Sequence, residues 1–515
     1  MEDALSWGGI LTRIAAQLLP VWVALIATFA LSLQFKRRLG LYGRIFDSPV
    51  GMTGFGLVMF WVFTAIFANW IITHDPLAQL SGMKNILPGA AVKDAAEGTY
   101  PYYLLGGDHL ARDVFSRMVM GARDVLKIAP AATVVAFMVG ITLGLPAGYL
   151  GGKLDTTISF LSNLVLAFPV ILLFYLLVTP EIRVTGIPTV LAALLFIFPV
   201  IFLTILFNSR YFTSPAKRNL YVGLVLLIGL WAYSGLAFNA DPTGIWTMDP
   251  NMLNVFVSVV FVNSPGVFRI VRGMVMDIKT RDYVAAGQTR GEGPWYIMLW
   301  EILPNARGPL IVDFCLRIGY TTILLGTLGF FGLGVTPESP DWGSTINYGR
   351  RLLAIAPHPA VVPAFALMSL VLGLNLLADG LREGQVPGLD RNGAHTHQCV
   401  EWVKLLDGRG GVVDAHLSSI SSAPSPAETG SQPPIRECIS QTRTSAPASE
   451  VSCWPPESLN RTASPSYSVP TPSISAVPCA TKTCRNRAPG RFTEVPGRMR
   501  ATCMAAFLLL MRIAE

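Results

Sequence analysis

Charge is scarce in this sequence. Only 14% of its 515 residues are Asp, Glu, Lys or Arg, where a soluble domain carries roughly 25%, so an ordinary water-soluble globule is excluded. Acidic residues are almost missing from the apolar runs, where Asp313 stands nearly alone; a proton relay needs more carboxylates than that. Cysteine is missing from the apolar body except for Cys315, the others being Cys399, Cys438, Cys453, Cys479, Cys484 and Cys503. One cysteine builds no disulfide framework, and Cys315 reads as a small packing residue. A phosphate-binding loop is missing as well. Gly148-Tyr-Leu-Gly-Gly152-Lys153 has a superficial likeness to one, but the spacing is a residue short and Leu154 stands where Ser or Thr is required. No cleavable signal peptide is in view: the apolar run from Ile14 to Leu33 is followed by Lys36-Arg37-Arg38 and reads as a retained span.

What the chain does have is apolar residues, at 52% of the total and a mean hydropathy of +0.49. They recur in runs of about 20, the length that crosses a ~30 Å hydrocarbon core as a helix. Helices are the expected spanning element because lipid offers backbone groups no partners. The pattern predicts an all-α polytopic membrane protein of about nine spans, at about 14–34, 51–73, 128–150, 158–178, 187–207, 219–238, 253–271, 308–333 and 361–378. The net charge of +7 is not a nucleic-acid signature, since Lys and Arg sit between apolar runs, where they orient helices. Lys36, Arg37, Arg38 and Arg44 form one basic loop, Arg210, Lys217 and Arg218 a second, and Arg269, Arg272, Lys279, Arg281 and Arg290 the strongest. With every span counted, all three loops and Lys153 fall on one side, which the positive-inside rule makes cytoplasmic. That predicts the N-terminus outside, segment 74–127 outside, and Arg382 and the C-terminus in the cytoplasm.

The pair at 187–238 behaves as an inserted hairpin, because removing it leaves every other helix direction unchanged. The first helix, with its basic loop in 1–44, is likewise separable, which leaves a six-helix core within 45–383. Residues 384–515 are rich in Ser, Pro, Thr, Ala and Arg without an apolar period. They read as a low-complexity disordered tail, or as a frameshifted or misassigned extension. His395-Thr-His397-Gln-Cys399 lies in that tail, and ligand types without a fold to orient them are weak evidence for a metal; no metal site is expected.

The most informative segment runs from Arg281 to Asn305 in the predicted cytoplasmic loop of about 272–305. Ala285, Ala286 and Gly287 give a short helix with an almost bare face, which another protein's backbone can approach closely. Gly291 can end that helix, because glycine tolerates positive φ. Pro294 suits the first turn of a second helix and Pro304 is expected to interrupt it. The expectation is a helix–turn–helix elbow, stiff enough to transmit a push, with Leu303, Pro304 and Asn305 at its junction with the next span.

Gly291 followed by Pro304 within Ile302-Leu-Pro-Asn305 resembles the EAA signature of ABC-importer permeases, and the closer likeness is to the dipeptide/oligopeptide/nickel permease family. Other segments similar to that family are Leu105-Gly-Gly-Asp-His-Leu-Ala-Arg-Asp-Val-Phe-Ser-Arg117, Ala147-Gly-Tyr-Leu-Gly-Gly-Lys-Leu-Asp155, Leu166-Ala-Phe-Pro169, Phe330-Phe-Gly-Leu-Gly334 with Trp342-Gly343, and Asn375-Leu-Leu-Ala-Asp-Gly-Leu-Arg382. They follow the family's order over 45–383. The sequence departs from it at Ala285, where the family has Glu, and at Gly107 and Ala111, where it usually has Thr and Gly. The first helix, the hairpin and the tail have no counterpart in the family's core. The resemblance implies a six-helix type I permease core in a bacterial inner membrane, with no cofactor of its own. ATP and Mg²⁺ would sit on two partner ATPase subunits, whose cleft takes the elbow. A second permease subunit, forming a heterodimer with this one, and a periplasmic substrate-binding protein would complete the importer, whose cargo is peptides or similar solutes such as nickel, opines or oligosaccharides.

Within the external motif Gly106, Asp108, Arg112 and Asp113 are candidate functional residues. Asp108, Arg112 and Asp113 are placed on one helical face, to contact the binding protein or orient the outer gate, against the plainer reading of an exposed ion-paired helix worth only ~0.5 kcal/mol. Asp313 and Arg317, four apart, are expected to pair inside the bilayer surface. The competing reading is a proton-coupled secondary transporter, which needs unpaired carboxylates in the spans.

Overall fold

The computed structural model describes residues 4–38, 40–92, 99–333 and 339–383. The tail with His395, His397 and Cys399, and Gly334 of the Phe330 motif, lie outside the described residues. The principal helices are α1 (Trp7–Gln17), α2 (Leu19–Gln34), α3 (Pro49–Ile66), α4 (Val114–Leu150), α5 (Gly152–Ala167), α6 (Val170–Val178), α7 (Ile187–Arg210), α8 (Pro215–Phe238), α9 (Pro250–Ile278), α10 (Asp282–Thr289), α11 (Leu303–Phe330), α12 (Trp342–Arg350) and α13 (His358–Glu383). A two-stranded antiparallel ladder, β1 (Ala90–Ala91) with β2 (Tyr102–Tyr103), lies in the segment between α3 and α4.

Among the described residues seven helices are long and apolar enough to cross a membrane, and two bent pairs raise that to nine. The expectation of nine straight spans is corrected at both pairs. The first helix breaks at Leu18, where α1 and α2 meet at 59°, one residue before the Leu19-Pro20 start of α2. The fourth breaks at 86° between α5 and α6. Its cause is Pro169, which removes a backbone donor and forces the preceding residue into the extended region; Phe168 has φ −77° and ψ 140°. The second predicted span also ends earlier, with α3 stopping at Ile66.

A larger correction concerns the third span. α4 begins at Val114, not 128, and runs for 37 residues, about 55 Å at 1.5 Å per residue. Arg117, Arg123, Asp124 and Lys127 depress the hydropathy of its first turns and hide them from an apolar-run reading. Asp113 fixes the start by accepting from the Phe115 and Ser116 amides. The far end is turned by Gly151 and Gly152, both at positive φ (68° and 65°).

α4 packs against α9 along a glycine stripe. A Cβ on Gly140 would lie 2.5 Å from the Val267 side chain, one on Gly144 2.8 Å from Val271 and one on Gly148 2.8 Å from Val275. Three bare positions four residues apart let the two backbones approach closely, which is how helices gain dispersion contact where lipid gives no hydrophobic drive. The main core joins Phe137, Ile141 and Leu145 of α4 and Val267, Val271 and Val275 of α9 to Ile297, Ile302 and Leu310 at the base of α11, and to Leu370 and Leu374 of α13. In the most apolar window of α7 33% is buried, whereas in that of α8 only 11% is, leaving the rest of that face for lipid.

Candidate functional site: a coupling elbow and a buried clamp at the opposite end

The elbow is closed by backbone hydrogen bonds. At the end of α10 the Glu292 amide donates to the Gly287 carbonyl at 3.3 Å and the Gly291 amide to the Gln288 carbonyl at 3.0 Å, the paired pattern that ends a helix through a left-handed residue. Gly291 supplies that residue at φ 77°. Gly293 is extended and Pro294 opens the next helix. Val284 and Gly287 face inward, while Ala285 and Ala286 face out. Gly287 therefore does not belong to the bare face expected of all three. Beside the two alanines, Tyr283, Trp295 and Tyr296 are 37%, 38% and 36% exposed, a group of aromatic surfaces set beside a bare helix.

Pro304 does not interrupt the second arm. The chain is helical without a break from Pro294 to Phe330, with a π-helical turn at Ile297–Ile302. A proline at 304 cannot donate to the Trp300 carbonyl and its ring crowds that oxygen; widening the turn just before it relieves both problems. The Leu303 amide reaches the Met298 carbonyl five residues back, and the Asn305 side-chain amide donates to the Glu301 carbonyl at 2.6 Å. The elbow is thus continuous with a long apolar helix.

Its position is set by the Ala147–Asp155 segment. Gln288 donates to the Tyr149 hydroxyl at 3.0 Å, and the Lys279 ammonium donates to the Gly148 carbonyl at 2.9 Å. Arg272 binds Asp155 bidentately, Nε donating to Oδ1 and Nη2 donating to Oδ2 at 2.7 Å. Arg290 pairs with Glu301 across the two arms at 2.7 Å, but both side chains are substantially exposed, so this bond adds little. None of these partnerships was legible from local patterns, since Gln288 and Tyr149 are 139 residues apart. The signal available was the cluster of polar groups in Ala147–Asp155 at the end of an apolar run.

The opposite end of α4 carries the Leu105–Arg117 motif. Residues 108–113 are not a helical face: they form a tight loop in which Gly107 and Asp113 pair as an antiparallel bridge. Asp108, Arg112 and Asp113 are 2%, 3% and 0% exposed, so the estimate for an exposed ion pair does not apply. Asp108 accepts from the Leu110 amide at 2.8 Å, the Arg112 amide at 2.9 Å and Arg112 Nε at 2.7 Å. Arg117 lies 3.9 Å from the same carboxylate and donates to the Ser339 carbonyl at 3.0 Å and the Thr345 hydroxyl at 3.1 Å. Asp113 accepts from Thr73 and Ser116 hydroxyls at 2.8 and 2.6 Å. Gly106, at φ 80°, admits His358, whose Nε2 would be 2.6 Å from a Cβ there. Ala111 sits at φ 63°, a left-handed position for which glycine is the ordinary residue. His109 packs on Tyr348, and its burial lowers its affinity for a proton, opposed by Asp108 and assisted by Arg112, Arg117 and Lys84. The motif clamps three segments together and exposes little of its charge.

Asp313 and Arg317 pair at 2.8 Å on α11. The extended α4 adds a carboxylate that the apolar-run reading left outside the spans: Asp124 lines a narrow cleft with Asp341, Trp342 and Leu325. Among the described residues no group of three His, Cys, Asp or Glu is placed to hold a metal.

These features define an all-helical, multi-pass membrane protein with a helical elbow at one end of its bundle and a clamped loop layer at the other. The sequence model described as binding-protein-dependent transport system inner membrane component matches residues 219–391. The glutathione transport system permease protein GsiD of Pectobacterium atrosepticum is 31% identical over 293 residues, 57% of this chain and 75% of that protein. The di/tripeptide transport system permease protein DppC of Pseudomonas aeruginosa is 28% identical, over 64% of this chain and 84% of its own length. The probable D,D-dipeptide transport system permease protein DdpC of Escherichia coli is 25% identical, over 65% and 87%. The chain belongs to the inner-membrane permease family of binding-protein-dependent peptide importers, and it is a multi-pass inner-membrane protein.

Proposed function

We propose that the chain is the permease subunit of an ATP-driven importer of peptides or similar small solutes, and that a separate ATPase subunit drives it by docking on residues 281–305. The observation that carries this reading is the elbow: a turn locked by Gly291, an outward face of Ala285 and Ala286 flanked by three exposed aromatics, and an unbroken helix leading from it into the membrane. A push on such an element moves a span instead of bending a loop. Leu303, Pro304 and Asn305 form the junction. Relatives named for glutathione, di- and tripeptides and D,D-dipeptides support peptides as cargo.

In this arrangement a second permease subunit, two ATPases carrying ATP and Mg²⁺, and a substrate-binding protein complete the machine. This chain supplies no hydrolytic chemistry. The N-terminus lies outside and Arg382 in the cytoplasm, in line with the basic loops near 36–44, 210–218 and 269–290. The clamp built on Gly106, Asp108, Arg112 and Asp113 then faces the binding protein.

Reconstitution with candidate ATPase subunits and substrate-binding proteins tests the reading. ATP-dependent uptake of radiolabelled dipeptides, with the ATPase co-purifying, is expected. A proton-coupled transporter would instead take them up in ATPase-free vesicles under a proton gradient, with loss on Asp124→Asn; that result would replace the proposal.

A further inference from the structure

The hairpin of α7 and α8 grips the elbow at one residue. Trp300, in the π-helical turn, donates its indole N–H to the Ser209 hydroxyl near the end of α7 at 3.2 Å. The next residue, Arg210, holds its guanidinium 4.7 Å from the centroid of the same ring. Behind them Phe202 and Leu206 share a core with Ile297 and Ile302. The hairpin end itself is stiffened by stacked rings: Tyr211 and Tyr221 lie 4.8 Å apart at 15°, and Phe207 stacks on both.

A π-helical turn differs from an α-helical one by a single residue of register, so it can yield by a one-residue slip that a regular α-helical stretch does not offer. Slip at this point would rotate the side chain of Trp300 about the helix axis, away from whatever holds it. Trp300 is held twice, at its edge by Ser209 and on its face by Arg210. We propose that Ser209 and Arg210 are positioning residues: they brace the π-helical turn so that motion of the elbow passes into α11 and is not absorbed by a register slip. The brace rests on the reading of 281–305 as the ATPase-docking element, and it gives the hairpin a role in setting how much transport each ATP produces.

The test uses the full-length permease in nanodiscs and proteoliposomes, as wild type, Ser209→Ala/Arg210→Ala, Arg210→Ala and Arg210→Lys. In the permease without partners, amide hydrogen exchange across 297–302 is expected to quicken about fivefold in the double variant, the effect of one lost hydrogen bond. Arg210→Lys, which keeps a cation over the ring, should restore part of the protection. With ATPase and binding protein present, radiolabelled dipeptide imported per ATP hydrolysed should fall several-fold while ATPase co-purification stays at the wild-type level. Unchanged exchange overturns the brace whatever the partners do. A fall in import that merely tracks ATPase dissociation also overturns it, assigning both residues to docking. A wild-type permease that binds no ATPase overturns the docking reading instead, and the exchange data still decide whether the turn is braced. Arg210 is exposed, so Arg210→Ala keeps the test open should the double variant misfold.

Discussion

Gly291 offers a test in which backbone conformation can be separated from side-chain bulk. It sits at φ 77°, and a Cβ placed on it would meet nothing within 4 Å. A substitution there therefore introduces no clash, only the cost of holding an L-residue in the left-handed region, about 1–2 kcal/mol for Ala, less for Asn, which visits that region readily, and more for a β-branched residue. If the free elbow relaxes out of the turn and must re-enter it to dock, that cost appears in full as lost affinity, up to about 5- to 30-fold for Gly291→Ala. The expected order of ATPase affinity is Gly, Asn, Ala, Val. Gly293, two residues on, has φ −67° and equally open surroundings, so Gly293→Ala should leave affinity within about twofold of wild type, a surface change of under 0.5 kcal/mol. The measurement is surface plasmon resonance of the ATPase on permease nanodiscs, with a thermal melt to confirm that each variant is folded. Equal affinities along the Gly291 series, or equal losses at 291 and 293, would refute the claim that a left-handed turn at 291 creates the docking shape.

Three further outcomes follow from the packing. Gly144→Leu, which places a side chain on Val271 and the Phe268 carbonyl, should destabilise the α4–α9 pair by about 1–3 kcal/mol, read as a lower melting temperature in detergent, while Gly273→Ala, with open surroundings, should not. Asp108→Ala strands Arg112 in a buried site and should cost about 3–5 kcal/mol, seen as early proteolysis of the 74–113 segment; a loss below about 1 kcal/mol would mean the ion pair is solvated. His109 has a lowered proton affinity in the folded protein, so the unfolded chain binds the proton more readily, and the stability it contributes is present above about pH 6.5 and lost as pH falls through that value. A melt in permease nanodiscs should drop between pH 7.5 and 5.5, and His109→Gln should flatten part of that slope; an unaltered slope would remove His109 from the account.

Sequence patterns were enough to find what depends on composition and local chemistry. Apolar runs located the spans, and Gly291 with Pro294 located the elbow, because each residue type there answers a local backbone demand. Two kinds of feature escaped. The first turns of α4 were invisible because Arg117 and Asp124 look like loop residues until their burial is known, and hydropathy cannot count a charge as neutralised by a partner such as the Ser339 carbonyl 222 residues away. The π-helical turn leaves no compositional trace, since it is a one-residue change of register in a sequence that otherwise reads as helix; Pro304 signals a disturbance without distinguishing a widened turn from an interruption. Ala111 lies between these cases. Its departure from the family's glycine was plain in the sequence, but only its φ of 63° shows that the alanine occupies a position where any Cβ is strained.

The two ends of the molecule are joined by one element. α4 starts at the Asp113 cap inside the buried clamp and ends at Gly148 and Tyr149, which hold Lys279 and Gln288 of the elbow segment. Between those ends it is fastened to α9 by the glycine stripe, and α9 leads directly into α10. An element packed this closely against its neighbour resists displacement by sliding, because close-packed interfaces of this kind have discrete arrangements and not a continuum. The second arm carries the π-helical turn at its base. Under the proposed docking, motion arriving at the elbow meets one stiff route, through α10 and α9 to α4, and one compliant route, through residues 297–302 to α11. A transporter whose spans must change their packing needs both arms to move together, and the contacts of Ser209 and Arg210 with Trp300 are what the fold places on the compliant one.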